Sequence, residues 1–249
     1  MTLLAVADVA RSFGAVQAVA GVSFTVAAGE RVALIGPNGA GKTTCFNLVN
    51  GQLAPDRGRV ALAGRDVTGM RPRALARLGV GRTFQISQIF PSLTVRENVQ
   101  MALAAHRGHT RRLSRPLAGY EPAAAEAGLE RVGLAGQGDR GAGALAYGDA
   151  KRLELAMVLA QSPALLLMDE PTAGMAPEER HALMDLVSGL AAGQGIGLLF
   201  TEHDMDVVFG HADRIVVLDR GRVIASGDPA TVRADATVRQ VYLGLDDEP

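Results

Sequence analysis

Gly36-Pro37-Asn38-Gly39-Ala40-Gly41-Lys42-Thr43-Thr44 is a loop of the form G-x-x-x-x-G-K-[ST], and its flanks decide how the rest of the chain is read. Arg31-Val32-Ala33-Leu34-Ile35 before it is short, apolar and β-rich, and Cys45-Phe46-Asn47-Leu48-Val49 after it suits the first turns of a helix. Strand, glycine-rich loop and helix in that order are the context in which such a loop cradles phosphate. The glycines let backbone N–H groups turn toward phosphate oxygens, and the helix N-terminus adds partial positive charge. Lys42 would span β- and γ-phosphates, with the Thr43 hydroxyl on Mg²⁺. Lys42 is also one of only two lysines in a chain whose positive charge is otherwise arginine. The candidate phosphate-binding residues are therefore Gly36, Pro37, Asn38, Gly39, Ala40, Gly41, Lys42, Thr43 and Thr44.

Working outward, apolar runs recur at 31–35, 164–168, 196–200 and 215–218. They are continuous rather than alternating, which suits strands covered on both faces in a parallel α/β sheet. Between them, 177–192 reads as a helix. Pro177 fits its first position, Glu178 and Glu179 favour its N-terminal dipole, and Leu183, Met184, Val187, Leu190 and Ala191 form one apolar stripe. Segments 3–10, 22–26 and 59–63 look like shorter strands of an antiparallel layer. The stretch from about 86 to 160 is mostly helical, and Thr94 with Glu97 forms a T-x-x-E capping box opening a helix at 95–105. It reads as a helical subdomain inserted into a core of about 1–85 and 161–249, the whole forming one domain. The basic loop His106-Arg107-Gly108-His109-Thr110-Arg111-Arg112 reads as a solvated tip, with lipid headgroups or a membrane partner as the alternative.

At 249 residues the chain can bury a substantial core, and a net charge of −1 gives no global attraction to nucleic acid or anionic lipid. The single cysteine, Cys45, cannot form an internal disulfide, which is compatible with a reducing compartment. The first residues meet an acid, Asp8, too early for a secretory leader, and no apolar stretch is long enough to span a bilayer. A soluble chain is expected, with any membrane role exercised through a partner.

A phosphate loop of this kind needs a second carboxylate element. Leu165-Leu166-Leu167-Met168-Asp169-Glu170 supplies it: Asp169 at a strand end can hold Mg²⁺ directly or through water, and Glu170 can polarise an attacking water. An apolar strand before an acidic turn is common alone; beside a phosphate loop it is not. His203 follows the next strand on the same sheet edge and could donate to a γ-phosphate. Gln85 opens the helical insert, where its amide could reach Mg²⁺ or the lytic water. Phe13 is a candidate platform for adenine, against a default role in the core. Leu145-Ala146-Tyr147-Gly148-Asp149 precedes a helix, 150–160, apolar nearly all round and hence buried, whose N-terminus would face an anion.

The ordered set Phe13, Gly36–Thr44, Gln85, Leu145–Asp149, Leu165–Glu170 and His203 resembles the nucleotide-binding subunit of ABC transporters over essentially the whole chain. That resemblance implies an α/β P-loop NTPase (RecA-like) core, ATP and Mg²⁺ as ligands, and hydrolysis on Glu170 with His203 and Gln85. It gives Phe13 as A-loop, Gly36–Thr43 as Walker A, Gln85 as Q-loop and Mg²⁺ contact, and Leu145–Asp149 as signature with Ala146 and Gly148 on nucleotide. Leu165–Asp169 becomes Walker B. Gly81-Arg82-Thr83-Phe84-Gln85, Leu145-Ala146-Tyr147-Gly148, Glu202-His203-Asp204-Met205-Asp206-Val207-Val208 and Tyr242-Leu243-Gly244 are similar to the LivG-like subunits of branched-chain amino-acid importers. The implied partners are a second ATPase subunit, identical or sister, two transmembrane permeases gripped along Gln85–Thr94 by Ile89, Phe90 and Leu93, and indirectly a periplasmic or extracellular solute-binding protein. The implied place is the cytoplasmic face of the inner (plasma) membrane. Nucleic acid is not an expected partner.

Three positions, two in the signature and one in the D-loop, depart from the wider family. Its signature serine is Ala146 here, and its fifth residue is Asp149, read as an N-cap whose charge opposes a nearby phosphate. A missing hydroxyl donor to a charged group costs roughly 1.5–3 kcal/mol. The D-loop aspartate is replaced by Ala176. The rival reading is a soluble ABC ATPase of DNA repair or cluster assembly. Gly148 and Asp169 lie only 21 residues apart, which leaves no room for the long insertion of the repair proteins. A non-hydrolysing module is opposed by Glu170 and His203.

Overall fold

A computed structural model describes residues 1–84, 87–109 and 117–243. Strands β1 (Thr2–Phe13), β2 (Val16–Ala27), β3 (Arg31–Ile35), β4 (Arg57–Leu62), β5 (Arg65–Asp66), β6 (Val80–Thr83), β7 (Leu165–Asp169), β8 (Gly197–Thr201), β9 (Arg214–Asp219) and β10 (Arg222–Gly227) build two sheets among the described residues. One is antiparallel, in the order β2-β1-β4-β5; the other runs β10-β9-β3-β8-β7-β6 and is parallel except for the edge strand β10. Both layers agree with the sequence reading.

The continuous apolar runs are explained by two cores. Val32, Leu34, Leu165, Leu167, Leu199, Val216 and Leu218 face the antiparallel sheet and helix α1 (Lys42–Val49). Their neighbours Ala33, Ile35, Leu166, Met168, Leu198, Phe200, Ile215 and Val217 face the helices on the other side. Side chains alternate across a strand, so a strand buried on both faces has no polar positions to show.

Among the described residues the remaining α-helices are α2 (Pro72–Arg77), α3 (Val95–His106), α4 (Pro122–Arg131), α5 (Tyr147–Leu159), α6 (Pro177–Gln194), α7 (Met205–His211), α8 (Pro229–Ala234) and α9 (Ala236–Val238). Helices α3, α4 and α5 pack together between β6 and β7. The capping box opening α3 has both halves: Thr94 Oγ1 accepts from Glu97 N at 3.1 Å, and Thr94 N donates to Glu97 Oε2 at 2.8 Å. Of the basic loop, Arg107 pairs with Glu121, and His109 Nδ1 lies 2.9 Å from the Tyr120 hydroxyl; positions 110–112 lie outside the described residues.

Three expectations need correction. The parallel strands read at 164–168 and 196–200 begin and end one residue later. β6 and β10 were not read as strands, because Gly81 and Arg82 break the apolar pattern of one and half-buried residues line the other. Gly81 is there for packing: a Cβ on it would lie 2.6 Å from Val158 Cγ1 on α5. Third, the buried helix starts at Tyr147 rather than 150. Ala146 is its N-cap, with no side-chain cap bond, and Asp149 sits inside the first turn, so Asp149 is not the cap.

Candidate active site at the strand ends

The carboxyl ends of β3, β7 and β8 lie side by side, and the turns leaving them carry the polar residues. In open α/β sheets this edge is where ligands bind. Gly41, the N-cap of α1, has φ of 100°, and a Cβ there would sit 2.3 Å from the Ala18 carbonyl oxygen. Only glycine fits such an approach without strain.

Lys42 is buried beneath this loop, its Nζ donating to Gly36 O at 2.6 Å and Pro37 O at 3.2 Å. Burial lowers its pKa from the ordinary lysine value, while the charges of Glu170 and Asp169 work in the opposite direction. A cleft of about 300 Å³ opens above it, lined by Ala18, Asn38 to Thr44, Glu170 and His203. Thr43 is exposed and Thr44 half-buried in that wall. The cleft thus joins a cation, a hydroxyl and backbone N–H groups at a helix start, the donor set that a polyphosphate requires.

Asp169 and Glu170 are fixed by one residue of the neighbouring strand. Thr201 Oγ1 donates to Asp169 Oδ1 at 2.8 Å and accepts from Glu170 N at 3.0 Å. Glu170 has φ of +47°, uncommon for a residue with a side chain, and the turn sends its carboxyl into the cleft. There Glu170 Oε1 meets His203 Nε2 at 2.8 Å. An imidazole N–H donating to that carboxyl orients both groups over the phosphate loop. Asp169 Oδ2 lies 3.4 Å from Arg82 Nη2, and Arg82 also donates to Asn47 Oδ1 at 3.2 Å. Behind His203, the buried Glu202 accepts from Thr172 N at 2.8 Å, Thr172 Oγ1 at 2.7 Å and His203 N at 3.3 Å; burial raises its pKa nonetheless.

Other residues singled out in the sequence lie elsewhere. Phe13 is 46% exposed, so it is not in the core. The Arg11 guanidinium covers its ring at 5.2 Å, and it is not among the cleft's lining residues. Ala146 is exposed and Gly148 half-buried at the start of α5, also away from the lining of the cleft. Ala176 caps α6 without a side-chain bond. Gln85 lies outside the described residues. Near it, Phe90 is exposed, while Ile89 and Leu93 are half-buried. Phe90 helps line a second cavity of about 240 Å³ with Arg82, Phe84, Met101, Glu154 and Met157.

The sequence reading missed Thr201, Arg82 and Glu202. For Thr201 the sequence offered only a hydroxyl at the end of an apolar run; its pairing with Asp169 comes from β7 and β8 being neighbours. Arg82 and Glu202 carried no signal beyond being charges beside short apolar runs.

Residues 19–173 match the family model described as ABC transporter, and residues 222–248 match one described as branched-chain amino acid ATP-binding cassette transporter. The LivG high-affinity branched-chain amino acid transport ATP-binding protein of Salmonella typhimurium is 39% identical, over 97% of this chain and 98% of that protein. BraF of Pseudomonas aeruginosa, with the same description, is 37% identical over 97% and 98%. Among solved structures, the ADP conformation of an ATP-binding cassette of an ABC transporter superposes with a TM-score of 0.87 at 33% identity, covering 98% of this chain and all of that one. A strand-edge cleft with a buried lysine, a paired glutamate and histidine, and relatives matched end to end lead to one conclusion: the chain belongs to the ABC transporter family, as one of its ATP-binding, ATP-hydrolysing cassettes.

Proposed function

We propose that this chain is the ATPase subunit of an importer for branched-chain amino acids or related small polar solutes, acting at the cytoplasmic face of the inner (plasma) membrane. The observation that carries the reading is the meeting of Lys42, Glu170 and His203 in one cleft, in a chain matched along 97% of its length by transport ATP-binding proteins. No described helix is long and apolar enough to cross a membrane, so translocation falls to two permease subunits. The exposed Phe90 and the cavity beside it supply apolar contact surface for them. The cassette works as a pair, with itself or a sister subunit, and a periplasmic or extracellular solute-binding protein delivers the cargo to the permeases.

In the site, Lys42 leaves its two carbonyls to span the β- and γ-phosphates, and Gly36–Thr44 enclose them with backbone N–H groups. Thr43 and Asp169 are hard oxygen donors of the kind Mg²⁺ takes, and Mg²⁺ when bound neutralises phosphate charge. Asp169, steadied by Thr201 and Arg82, would hold the ion directly or through water. Glu170 orients and deprotonates the attacking water, His203 holds Glu170 and contacts the γ-phosphate, and Gln85 completes the shell from the insert. Phe13 stacks on adenine with the face that Arg11 leaves uncovered. Ala146 and Gly148 meet the nucleotide of the opposite subunit. Closure of the pair pulls on the permeases through the Gln85–Thr94 groove.

Two variants test this. Glu170→Gln keeps ATP binding while hydrolysis falls about 10²–10⁴-fold. Lys42→Ala loses most of the rise in melting temperature that ATP-Mg²⁺ gives the native chain. Wild-type turnover in the first, or an equal ATP-induced shift in the second, rejects the assignment.

A further inference from the structure

Both lysines of the chain are buried, and only Lys42 belongs to the phosphate cleft. Lys151 lies on α5, one turn after Tyr147, and is 4% exposed. Its Nζ donates to Phe84 O at 2.8 Å and sits 5.7 Å from the centre of the Tyr147 ring. Burial lowers its pKa from the ordinary lysine value, while the charges of Glu154 and Glu202 work in the opposite direction. Glu154, equally buried, accepts through Oε1 from Phe84 N at 3.1 Å and from Gln88 N at 3.2 Å. One face of α5 therefore grips the backbone on both sides of residues 85 and 86. Glu202 in turn bonds Thr172 in the turn after β7 and His203 after β8.

The end of β6 and the N-terminus of α5 meet at this ammonium group, and Glu202, whose charge acts on it, joins the turns after β7 and β8. A buried lysine is an expensive way to gain stability, since a well-packed apolar side chain of the same length does as well or better. At every other lysine-or-arginine position the chain carries arginine. A compact ammonium donates to a carbonyl from any direction, whereas a planar guanidinium needs a matching fork.

We propose that Lys151, with Glu154, is a positioning element of the ATPase, tying the chain that carries Gln85, the signature turn and the segment that carries His203 into one unit. The pair acts through those groups and touches no substrate. The inference rests on the assignment of the Lys42 cleft as the ATP site, so Lys42→Ala runs beside it as the control for that assignment.

The experiment is steady-state ATP hydrolysis by the full chain, with melting curves taken with and without ATP-Mg²⁺. In Lys151→Met, KM and the ATP-induced melting shift stay within about twofold of the native values while kcat falls about tenfold or more. Lys151→Arg, which restores a donor to Phe84 O, recovers part of that loss. Lys151→Met combined with Glu154→Gln removes the Glu154 charge beside the vacated position, and Glu202 keeps its bonds from Thr172 and His203 N, so the double variant keeps the fold even where the single variant does not. It is expected to bind ATP normally and to hydrolyse it as slowly as Lys151→Met. A kcat within about twofold of native in Lys151→Met or in the double variant overturns the proposal. So does loss of folding in both, which would make the pair purely structural. Undiminished ATP binding in Lys42→Ala would instead reject the cleft assignment, whatever the Lys151 variants do.

Discussion

Ala146→Ser separates two roles that one hydroxyl would play. Ala146 is the N-cap of α5, with φ of −64° and ψ of 158°, and its own side chain makes no cap bond. Thr94, the N-cap of α3, has nearly the same backbone, φ of −72° and ψ of 164°, and its hydroxyl accepts from the third helical N–H at 3.1 Å. A serine at 146 can make the same bond to Asp149 N without moving the chain. Capping residues contribute about 0.5–2 kcal/mol over alanine. For a chain of this size, about 1 kcal/mol raises the melting temperature by about 2–4 °C. This gain belongs to the cassette without nucleotide. A hydroxyl that accepts from Asp149 N still has its proton to give, so it can also donate to a γ-phosphate of the facing subunit. That second bond is to a charged group and tightens the ATP-bound pair by up to about tenfold to a hundredfold. The assays are a melting curve without nucleotide, and light scattering of Glu170→Gln with ATP, each with residue 146 as Ala or Ser. An unchanged melting temperature refutes the capping argument. A raised melting temperature with an unchanged dimer constant leaves the cap intact and refutes the contact across the pair.

Other outcomes follow from the same geometry. Thr201→Val removes the bond to Asp169 and one of the acceptors for Glu170 N, a loss of about 2–3 kcal/mol. Its melting temperature should fall by about 4–12 °C, and kcat should drop with it; native values of both would show the hydroxyl to be idle. Asp213 is held below the ordinary carboxylate range by the Arg31 side chain at 2.6 Å, with Arg31 N adding a bond at 2.9 Å and burial opposing both. A depressed carboxyl pKa stabilises above the unfolded value of 3.8 and loses that contribution as pH falls through the folded value. Asp213→Asn should therefore be less stable at neutral pH, with a shallower decline in acid. Urea midpoints across that range decide it, and parallel curves for the two proteins would contradict the linkage.

Much of this site was legible because its residues must stand at fixed offsets from strands and helices. Gly36 to Thr44, Asp169, Glu170 and His203 each follow an apolar run, and a parallel sheet brings the carboxyl ends of such runs to one edge. What escaped were the side chains that hold those residues still. Thr201 matters through cross-strand register, Arg82 through reaching Asp169 from a strand that contains a glycine, and Lys151 through a carbonyl 67 positions away. None of these has a period or a motif, because each is set by which strands become neighbours. The start of α5 was misread for a local reason: Ala146 and Gly148 are poor helix-start signals, and Asp149 looked like a cap when it was already inside the first turn.

The scarcity of lysine has a practical meaning for chemistry done on the folded protein. With Lys42 and Lys151 as the only ε-amines, and both beneath the surface, acylation, reductive methylation and enzymatic conjugation of lysine find no ready target on its exterior. Labelling of either side chain then reports an opening of the structure. Protection of Lys42 by a nucleotide, with Lys151 unaffected, would turn two amines into separate gauges of the cleft and of the helix behind it.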